Sequence, residues 1–113
     1  MPQRAAELNR VFQALADPTR RAVVERLGRG PAAASELARP FTMALPSFMQ
    51  HLGVLEKVGL VTSTKDGRVR TYRLAPRPLK SAEGWMAKQR QLWERRLNQF
   101  DDYVRTLKET EQS

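Results

Sequence analysis

Lys65, Arg68 and Arg70 could together bind an anionic surface, because three cationic side chains stand within one short segment. They surround Asp66-Gly67, a strong two-residue turn signal, and the runs LVTSTK and RVRTYRL on either side are rich in β-branched residues. The sequence therefore predicts a β-hairpin with a cationic tip.

The turn also predicts how the two strands pair. If Asp66 and Gly67 form the loop, the facing pairs are Lys65 with Arg68, Ser63 with Arg70, and Val61 with Tyr72. Like charges directly opposite each other are unfavourable in isolation, so the tip is expected to lie beside a negative surface. A solvated tip is the plain alternative. Tyr72 is expected to face the core.

The charge of the whole chain favours a polyanionic partner. The formal net charge is +8 and the sequence pI is about 10.8. Residues 1–77 carry 13 Lys+Arg against 6 Asp+Glu, whereas residues 78–113 carry 7 against 6. The first two thirds of the chain are therefore expected to contact the partner.

Catalysis and metal binding lack the necessary residues. The one histidine, His51, falls inside a predicted helix with no nucleophile pattern around it, and no glycine-rich phosphate loop follows a strand. Asp101 and Asp102 are neighbours on a predicted helix, about 100° apart, which indicates a solvated face. One histidine without cysteine supplies too few ligands for a zinc-type site. We predict no enzymatic activity, no cofactor and no metal.

The composition is that of one small domain outside any membrane. A chain of 113 residues without cysteine has no disulfide framework, and no apolar run approaches the roughly 18 residues of a membrane span. The amphipathic N-terminus lacks the apolar segment of a signal peptide. A cytoplasmic location and no membrane partner are predicted.

Three short helices are predicted before residue 40. The first carries an apolar stripe of Leu8, Val11, Phe12 and Leu15. The second, TRRAVVERL, begins after Asp17-Pro18, a good helix start, and ends at Gly28. Positive charge in its first turn opposes the helix dipole, so Arg20 and Arg21 indicate either a nearby phosphate or a wet surface. The third spans 35–39.

A fourth helix is predicted from Leu45 to Lys57. Its apolar face contains Leu45, Phe48, Leu52 and Leu55, with Pro46 tolerated in the first turn. Gly59 is placed to end the helix as a C-terminal cap.

A long final helix, roughly 79–108, is predicted after Pro76 and Pro78. Met86, Trp93, Phe100 and Leu107 recur every seven residues, and Leu97 and Val104 add intermediate positions. Such a seam, on a helix too long for so small a core to cover, predicts packing against another chain.

Three stretches together resemble the ArsR/SmtB-type winged helix-turn-helix repressors, and most closely the branch that lacks the metal-sensing cysteines. They are ALADPTRRAVVERL, SELA, and MALPSFMQHLGVLEKVGLVTSTKDGRVRTYRL, in the order and spacing of that family. The resemblance implies a mainly α fold with a small β-hairpin wing. It assigns residues 1–77 to the winged DNA-binding domain and 78–113 to a dimerisation helix within the same compact domain.

The resemblance also implies site residues. The helix at 45–57 would enter the DNA major groove, where Pro46, Ser47, Met49 and Gln50 are the base-reading candidates. A glutamine amide is a type that pairs bidentately with adenine. His51 matches the family's histidine and would reach a phosphate or support the helix. The first and last helices would pack across a two-fold axis, with an interface of Leu8, Val11, Phe12, Met86, Trp93, Leu97, Phe100 and Val104.

Two departures from the family pattern bear on base reading. Ala44 and Met49 stand where serine or threonine is frequent, so hydrogen bonds are lost and apolar contacts remain, which suit a thymine methyl better than a guanine edge. The family's cysteine pair is replaced by Ala33, Ala34 and neighbours, so its metal site does not carry over.

We therefore expect a homodimeric repressor that binds a near-palindromic operator in double-stranded DNA and occludes its promoter. The alternative is a winged-helix protein-interaction module that has lost specific DNA reading. An RNA-binding winged helix is disfavoured, because the wing offers only Tyr72 as a stacking platform. The sequence leaves open an unknown small-molecule effector.

Overall fold

Five helices and a three-stranded antiparallel sheet make up residues 2–112, the part of the chain that the computed structural model describes, with side chains for residues 5–111. The strand order is β1-β3-β2, and the chain divides into two compact units, one ending at Ala82 and one beginning at Glu83. The elements are α1 Pro2–Leu15, α2 Pro18–Leu27, β1 Ala32–Ala33, α3 Ala34–Ala38, α4 Leu45–Lys57, β2 Val61–Asp66, β3 Val69–Leu74 and α5 Pro76–Gln112.

The predicted fold class, mainly α with a small β wing, is confirmed. The division of the chain at residue 77 into a winged domain and a dimerisation helix stays a prediction, and its outermost residues, Met1 and Ser113, lie outside the described residues. Among the described helices, none is long and apolar enough to cross a membrane.

The start of α2 follows its sequence signal. Asp17 is the N-terminal cap, and its Oδ2 accepts a hydrogen bond of 3.0 Å from the backbone N–H of Arg20, while Pro18 occupies the first helical position. Side chains of the same turn reach back to the end of α1. Arg20 donates from Nε to the carbonyl of Ala14 (2.7 Å), and Arg21 donates from Nη1 to that of Leu15 (2.8 Å).

These contacts explain why two arginines stand in the first turn of α2, where positive charge opposes the helix dipole. The carbonyls at the C-terminal end of a helix lack partners within the helix and carry partial negative charge, so cations are favourable there. Arg20 and Arg21 are tolerated at the start of α2 because they stabilise the end of α1. This explanation requires neither a nearby phosphate nor a wet surface.

The core of the first unit lies where the apolar pattern predicts, and Leu45 is an exception. Phe48, Leu52 and Leu55 of α4 are buried, and Tyr72 faces the core as expected. Leu45 was predicted to share their face, but its side chain is 58% exposed, because it occupies the first position of the helix, ahead of the buried turns.

Val11 was predicted to lie at the dimer interface, and this prediction is wrong. Its side chain is fully buried in the core of its own chain, so nothing remains for a partner to contact. Leu8, on the same stripe, is partly buried against that core, whereas Phe12 stays partly exposed.

The wing hairpin exists, but its predicted register is wrong. Asp66 pairs with Val69, so the two loop residues are Gly67 and Arg68 rather than Asp66 and Gly67. Gly67 has φ of +63°, and no described non-glycine residue has positive φ. Positive φ at the first loop position alone is the pattern of a type II′ turn, whereas the predicted loop would favour positive φ at Asp66 as well.

The shift changes all three predicted pairs. Lys65 now faces Arg70, Ser63 faces Tyr72 and Val61 faces Leu74. Two cations still stand opposite each other near the tip, so the argument for a nearby negative surface survives with Arg70 in place of Arg68.

A short strand that sequence analysis missed completes the wing. β1 contains only Ala32 and Ala33, which pair with Tyr72 and Thr71 of β3. Two alanines carry no strand signal of their own, so this pairing is visible only once the hairpin is placed. The helix predicted at 35–39 follows directly as α3.

The end of α4 is fixed by Gly59, as predicted. Gly59 has φ of +82°, and its N–H donates to the carbonyl of Glu56, while the N–H of Leu60 donates to that of Leu55. This pair of hydrogen bonds is the Schellman motif, which requires a left-handed residue at the glycine position. It turns the chain from α4 into the wing.

The final helix begins earlier than predicted. Pro76 and Pro78 lie within the first turn of α5 instead of before it, where the missing proline N–H groups cost no helical hydrogen bond. From Glu83 onward, the helix exposes most of its large apolar side chains, which are Trp85, Met86, Leu92, Trp93, Leu97, Phe100, Tyr103 and Leu107.

Candidate nucleic-acid interface

The exposed face of α4 carries the four predicted base-reading residues. Pro46, Ser47, Met49 and Gln50 are all exposed; Pro46 and Gln50 lie opposite the buried stripe of the same helix, and Ser47 and Met49 flank it. Ala44 is the N-terminal cap residue and provides no side-chain hydrogen bond. Ala44 therefore leaves the backbone N–H groups in the first turn of α4 without a capping side chain.

Arg70 of the wing is held by a chain of hydrogen bonds that starts on α4. Its Nη1 donates to Oγ of Ser63 at 2.9 Å, and the Ser63 hydroxyl donates to Oε2 of Glu56 at 2.5 Å. We call this set, Glu56, Ser63 and Arg70, the wing relay. Because a hydroxyl can accept and donate at once, Ser63 connects a carboxylate to a guanidinium and restricts where Arg70 can point.

One open cavity brings the helix and the wing together. Its volume is about 350 Å³. It places Met49 of α4 beside Arg68 and Arg70 of the wing, which are three of the predicted contact residues, whereas Gln50 and Lys65 do not line it. The described residues that line it are Ala33, Ala34, Ser35, Leu45, Met49, Arg68, Val69 and Arg70.

His51 has a structural role that the sequence left open. Its Nδ1 lies 3.2 Å from Nη1 of Arg20 and 3.6 Å from Oδ2 of Asp17. A guanidinium can only donate, so the contact with Arg20 is a hydrogen bond only when Nδ1 accepts, whereas the contact with Asp17 is an ion pair only when the ring is protonated. His51 thus connects α4 to the start of α2, and Nε2–H keeps a donor for a further acceptor.

The charge of Asp17 is stabilised in this cluster. The hydrogen bond from the backbone N–H of Arg20 is the largest cause and lowers the pKa of the Asp17 carboxyl. Burial opposes it, and the charges of His51 and Arg20 lower the pKa further. At the wing, burial raises the pKa of the Tyr72 hydroxyl, and the Glu56 carboxylate adds to that rise.

Between residues 2 and 112, no three histidine, aspartate or glutamate side chains come together in a way that could hold an ion.

Comparison with known proteins places this geometry in a family. A family model for a helix-turn-helix domain matches residues 15–64, which contain α2, α3 and α4. The crystal structure of an ArsR family transcriptional regulator is 57% identical, covers 80% of this chain and 93% of that one, and superposes with a TM-score of 0.76. The chain belongs to the ArsR family of transcriptional regulators.

Curated relatives of this ArsR-family regulator are also named as transcriptional regulators. The transcriptional repressor SdpR of Bacillus subtilis is 32% identical over 79 residues, or 70% of this chain and 88% of SdpR. The HTH-type transcriptional regulator Rv2034 of Mycobacterium tuberculosis is 50% identical over 68 residues, or 60% of this chain. The match spans 64% of the length of Rv2034. Both names favour DNA-binding regulation over the alternative of a protein-interaction module.

A further solved structure carries a statement about assembly. The homodimeric winged helix-turn-helix DNA-binding domain of Mb0332 from Mycobacterium bovis is 26% identical, with a TM-score of 0.61 over 78% of this chain and 83% of that one.

Sequence reasoning missed the residues that support the site of this ArsR-family regulator. Glu56 and Ser63 belong to the wing relay, and Leu45 and Val69 line the cavity. For Leu45 one sequence signal was available, its place in the first turn of α4, because a residue ahead of a helix's second turn has fewer neighbours to cover it. The relay depends on the strand register and left no trace in the sequence.

Proposed function

We propose that this ArsR-family regulator is a homodimeric repressor that binds a near-palindromic operator in double-stranded DNA and occludes its promoter. The observation that carries the proposal is the cavity shared by Met49, Arg68 and Arg70, because a single ligand surface can contact the fourth helix and the wing together. We further propose a cytoplasmic location and no catalytic role.

The proposed contacts divide into those that position the protein and those that read bases. Lys65, Arg68 and Arg70 are exposed cations at the wing and contact phosphates, which fix the register of the protein on the duplex. Ser47, Met49 and Gln50 reach base edges in the major groove, with Gln50 suited to adenine. His51 offers Nε2–H to a phosphate, while Nδ1 stays with Arg20.

The homodimer rests on the unit that begins at Glu83. Its apolar side chains are exposed at heptad spacing, an arrangement that favours a helical partner. Relatedness to a homodimeric winged domain supports a second copy as that partner. Two α4 helices would then enter successive major grooves about one helical turn, roughly 34 Å, apart, and the bound dimer would block polymerase.

The test is selection of bound duplexes from a random DNA pool with the full chain, followed by affinity measurements of the selected and scrambled duplexes against salt concentration. We expect an enriched two-fold symmetric motif, bound on the order of a thousandfold more tightly than scrambled DNA, with affinity that falls steeply with salt. Absence of an enriched motif, with only weak binding that salt abolishes, would contradict the proposal.

Two variants separate the proposed roles. Gln50→Ala is expected to relax sequence preference at one position per half-site, whereas Arg68→Ala should weaken binding to all sequences and reduce the salt slope by about one. Both side chains are exposed, so neither change should disturb folding. An equal loss of affinity for operator and scrambled DNA in Gln50→Ala would remove Gln50 from base reading.

A further inference from the structure

Three exposed apolar side chains meet at the cavity between α4 and the wing. Leu45 is 58% exposed, Met49 37% and Val69 52%, although the same two elements bury Phe48 and Tyr72 almost completely. Leu45 and Met49 are four residues apart on α4 and therefore lie one above the other on the same face. Val69 joins them from the first position of β3, so these residues form one apolar surface, here called the apolar patch.

Cations border the apolar patch, and among the residues that the structure describes no acidic side chain lines the cavity. Arg68 and Arg70 complete the lining, together with three small residues at the start of α3. The surface that fits this site must therefore present an apolar group close to negative charge. Duplex DNA does so where a thymine lies beside its phosphates, because the 5-methyl group of thymine is the apolar feature of the major-groove edge.

The side chains of the apolar patch cannot donate hydrogen bonds. Leu45, Met49 and Val69 have no N–H or O–H groups in their side chains, and Ala44 just before them provides no side-chain cap. A base edge in contact with the apolar patch is therefore distinguished by its methyl group rather than by its donors and acceptors. Gln50, outside the cavity lining, keeps the capacity for hydrogen-bonded reading of a neighbouring base.

We propose that Leu45, Met49 and Val69 form a reading site for the 5-methyl group of a thymine in each operator half-site, with Arg68 and Arg70 on the adjacent phosphates. This inference rests on the proposed function, because it specifies the base chemistry that the same DNA-binding face recognises. It follows that 5-methylcytosine, which carries the same methyl group, substitutes partly for that thymine.

The test is a uracil scan of the selected operator, in which each thymine in turn is replaced by deoxyuridine, a change that removes only the methyl group. Binding of the full chain is measured by fluorescence anisotropy at one salt concentration. We expect one thymine per half-site at which uracil lowers affinity about threefold to fivefold, the order expected for burial of one methyl group. An operator with 5-methylcytosine in place of that thymine should be bound more tightly than an operator with cytosine there.

Variants show whether the apolar patch is responsible. In Met49→Ala, the ratio of the affinities for the thymine operator and the uracil operator should fall towards one. In the matched control Gln50→Ala, another exposed residue of α4, the ratio should stay as in the wild type. Circular dichroism confirms that each variant is folded.

Two results would overturn the inference. An operator that is selected and bound specifically, but gives a flat uracil scan, leaves the proposed function intact and removes the thymine site. A uracil effect of equal size in the wild type, Met49→Ala and Leu45→Ala places the methyl contact elsewhere. If no operator is selected at all, the proposed function itself fails, so the two failures are distinguishable.

Discussion

The two units of this chain use apolar side chains in opposite ways. Up to Ala82, α4 and the wing build a common core, in which Leu52 and Tyr72 are buried, and leave only a few large apolar side chains exposed. From Glu83 onward, in contrast, Trp93 is 69% and Phe100 62% exposed. The charge is divided just as sharply. Residues 1–82 contain 14 Lys+Arg and 6 Asp+Glu, a net charge of +8, and residues 83–113 contain six of each.

The difference indicates a division of labour. A basic unit with its own core can present a stable cationic face to DNA, since its stability does not depend on the contact that it makes. A neutral helix with exposed aromatic residues has the composition of an interface and gains little from DNA. We expect substitutions in the two units to differ in whether their effects depend on protein concentration.

The largest effect is expected from Leu52→Ala. Leu52 is fully buried, so its truncation should lower the free energy of unfolding by about 2–5 kcal/mol. Urea denaturation followed by circular dichroism measures it. Because the lost contacts lie within the first unit, the decrease should be the same at low and high protein concentration, and a decrease that vanishes at high concentration would contradict the comparison.

Trp93→Ala should act through association instead. Removal of a large exposed aromatic side chain at the proposed dimer interface should raise the dimer dissociation constant tenfold or more, as measured by analytical ultracentrifugation. Asn98→Ala, an exposed polar change on the same helix, is the matched control and should leave the constant unchanged. Equal behaviour of the two variants would remove Trp93 from the interface.

The wing relay predicts a smaller effect on DNA binding. Ser63→Ala keeps every charge but releases Arg70, so affinity for operator and scrambled DNA should fall together, by about twofold to fivefold, because more side-chain freedom is lost on binding. Ser63→Thr keeps the hydroxyl and should restore affinity. In an Arg70→Ala background, Ser63→Ala should have no further effect, and an undiminished loss there would show that the relay does not act through Arg70.

The smallest effect concerns pH. The pKa of Asp17 is lower in the folded chain than its ordinary value of 3.8, so its charge contributes stability that is complete above that value and disappears as the pH falls through the folded pKa. Asp17→Asn keeps a good N-terminal cap without the charge. The urea midpoint of the wild type should therefore exceed that of Asp17→Asn at pH 6, and the difference should shrink as the pH falls through the folded pKa of Asp17. A constant difference across this range would assign the effect to something other than the charge.

Much of the winged unit follows from local sequence signals. The bounds of α4, Leu45 to Lys57, and the helix start at Asp17-Pro18 match their predictions, and Gly59 ends α4 as expected. These features depend on residues within one or two helical turns of each other, so the chemistry of a short segment is sufficient to specify them.

The candidate site was predictable in type but not in arrangement. The exposed positions of α4 and the cations of the wing could be chosen from periodicity and charge, but nothing local indicated that Met49 and Arg68 line one cavity. The predicted hairpin register was wrong because the wrong two loop residues were chosen. Asp66-Gly67 and Gly67-Arg68 both contain the glycine that the turn needs.

The sequence by itself determined the helices, the existence of the hairpin, the surplus of positive charge before residue 78 and the apolar heptads of the last helix. The tertiary structure alone decided that Val11 is core, that Arg20 holds the end of α1 and contacts His51, that β1 joins the sheet, and that the wing relay restrains Arg70. The physical reason is range. Helix caps and periodicity depend on neighbours along the chain, whereas burial, strand register and side-chain hydrogen bonds depend on groups that folding brings together.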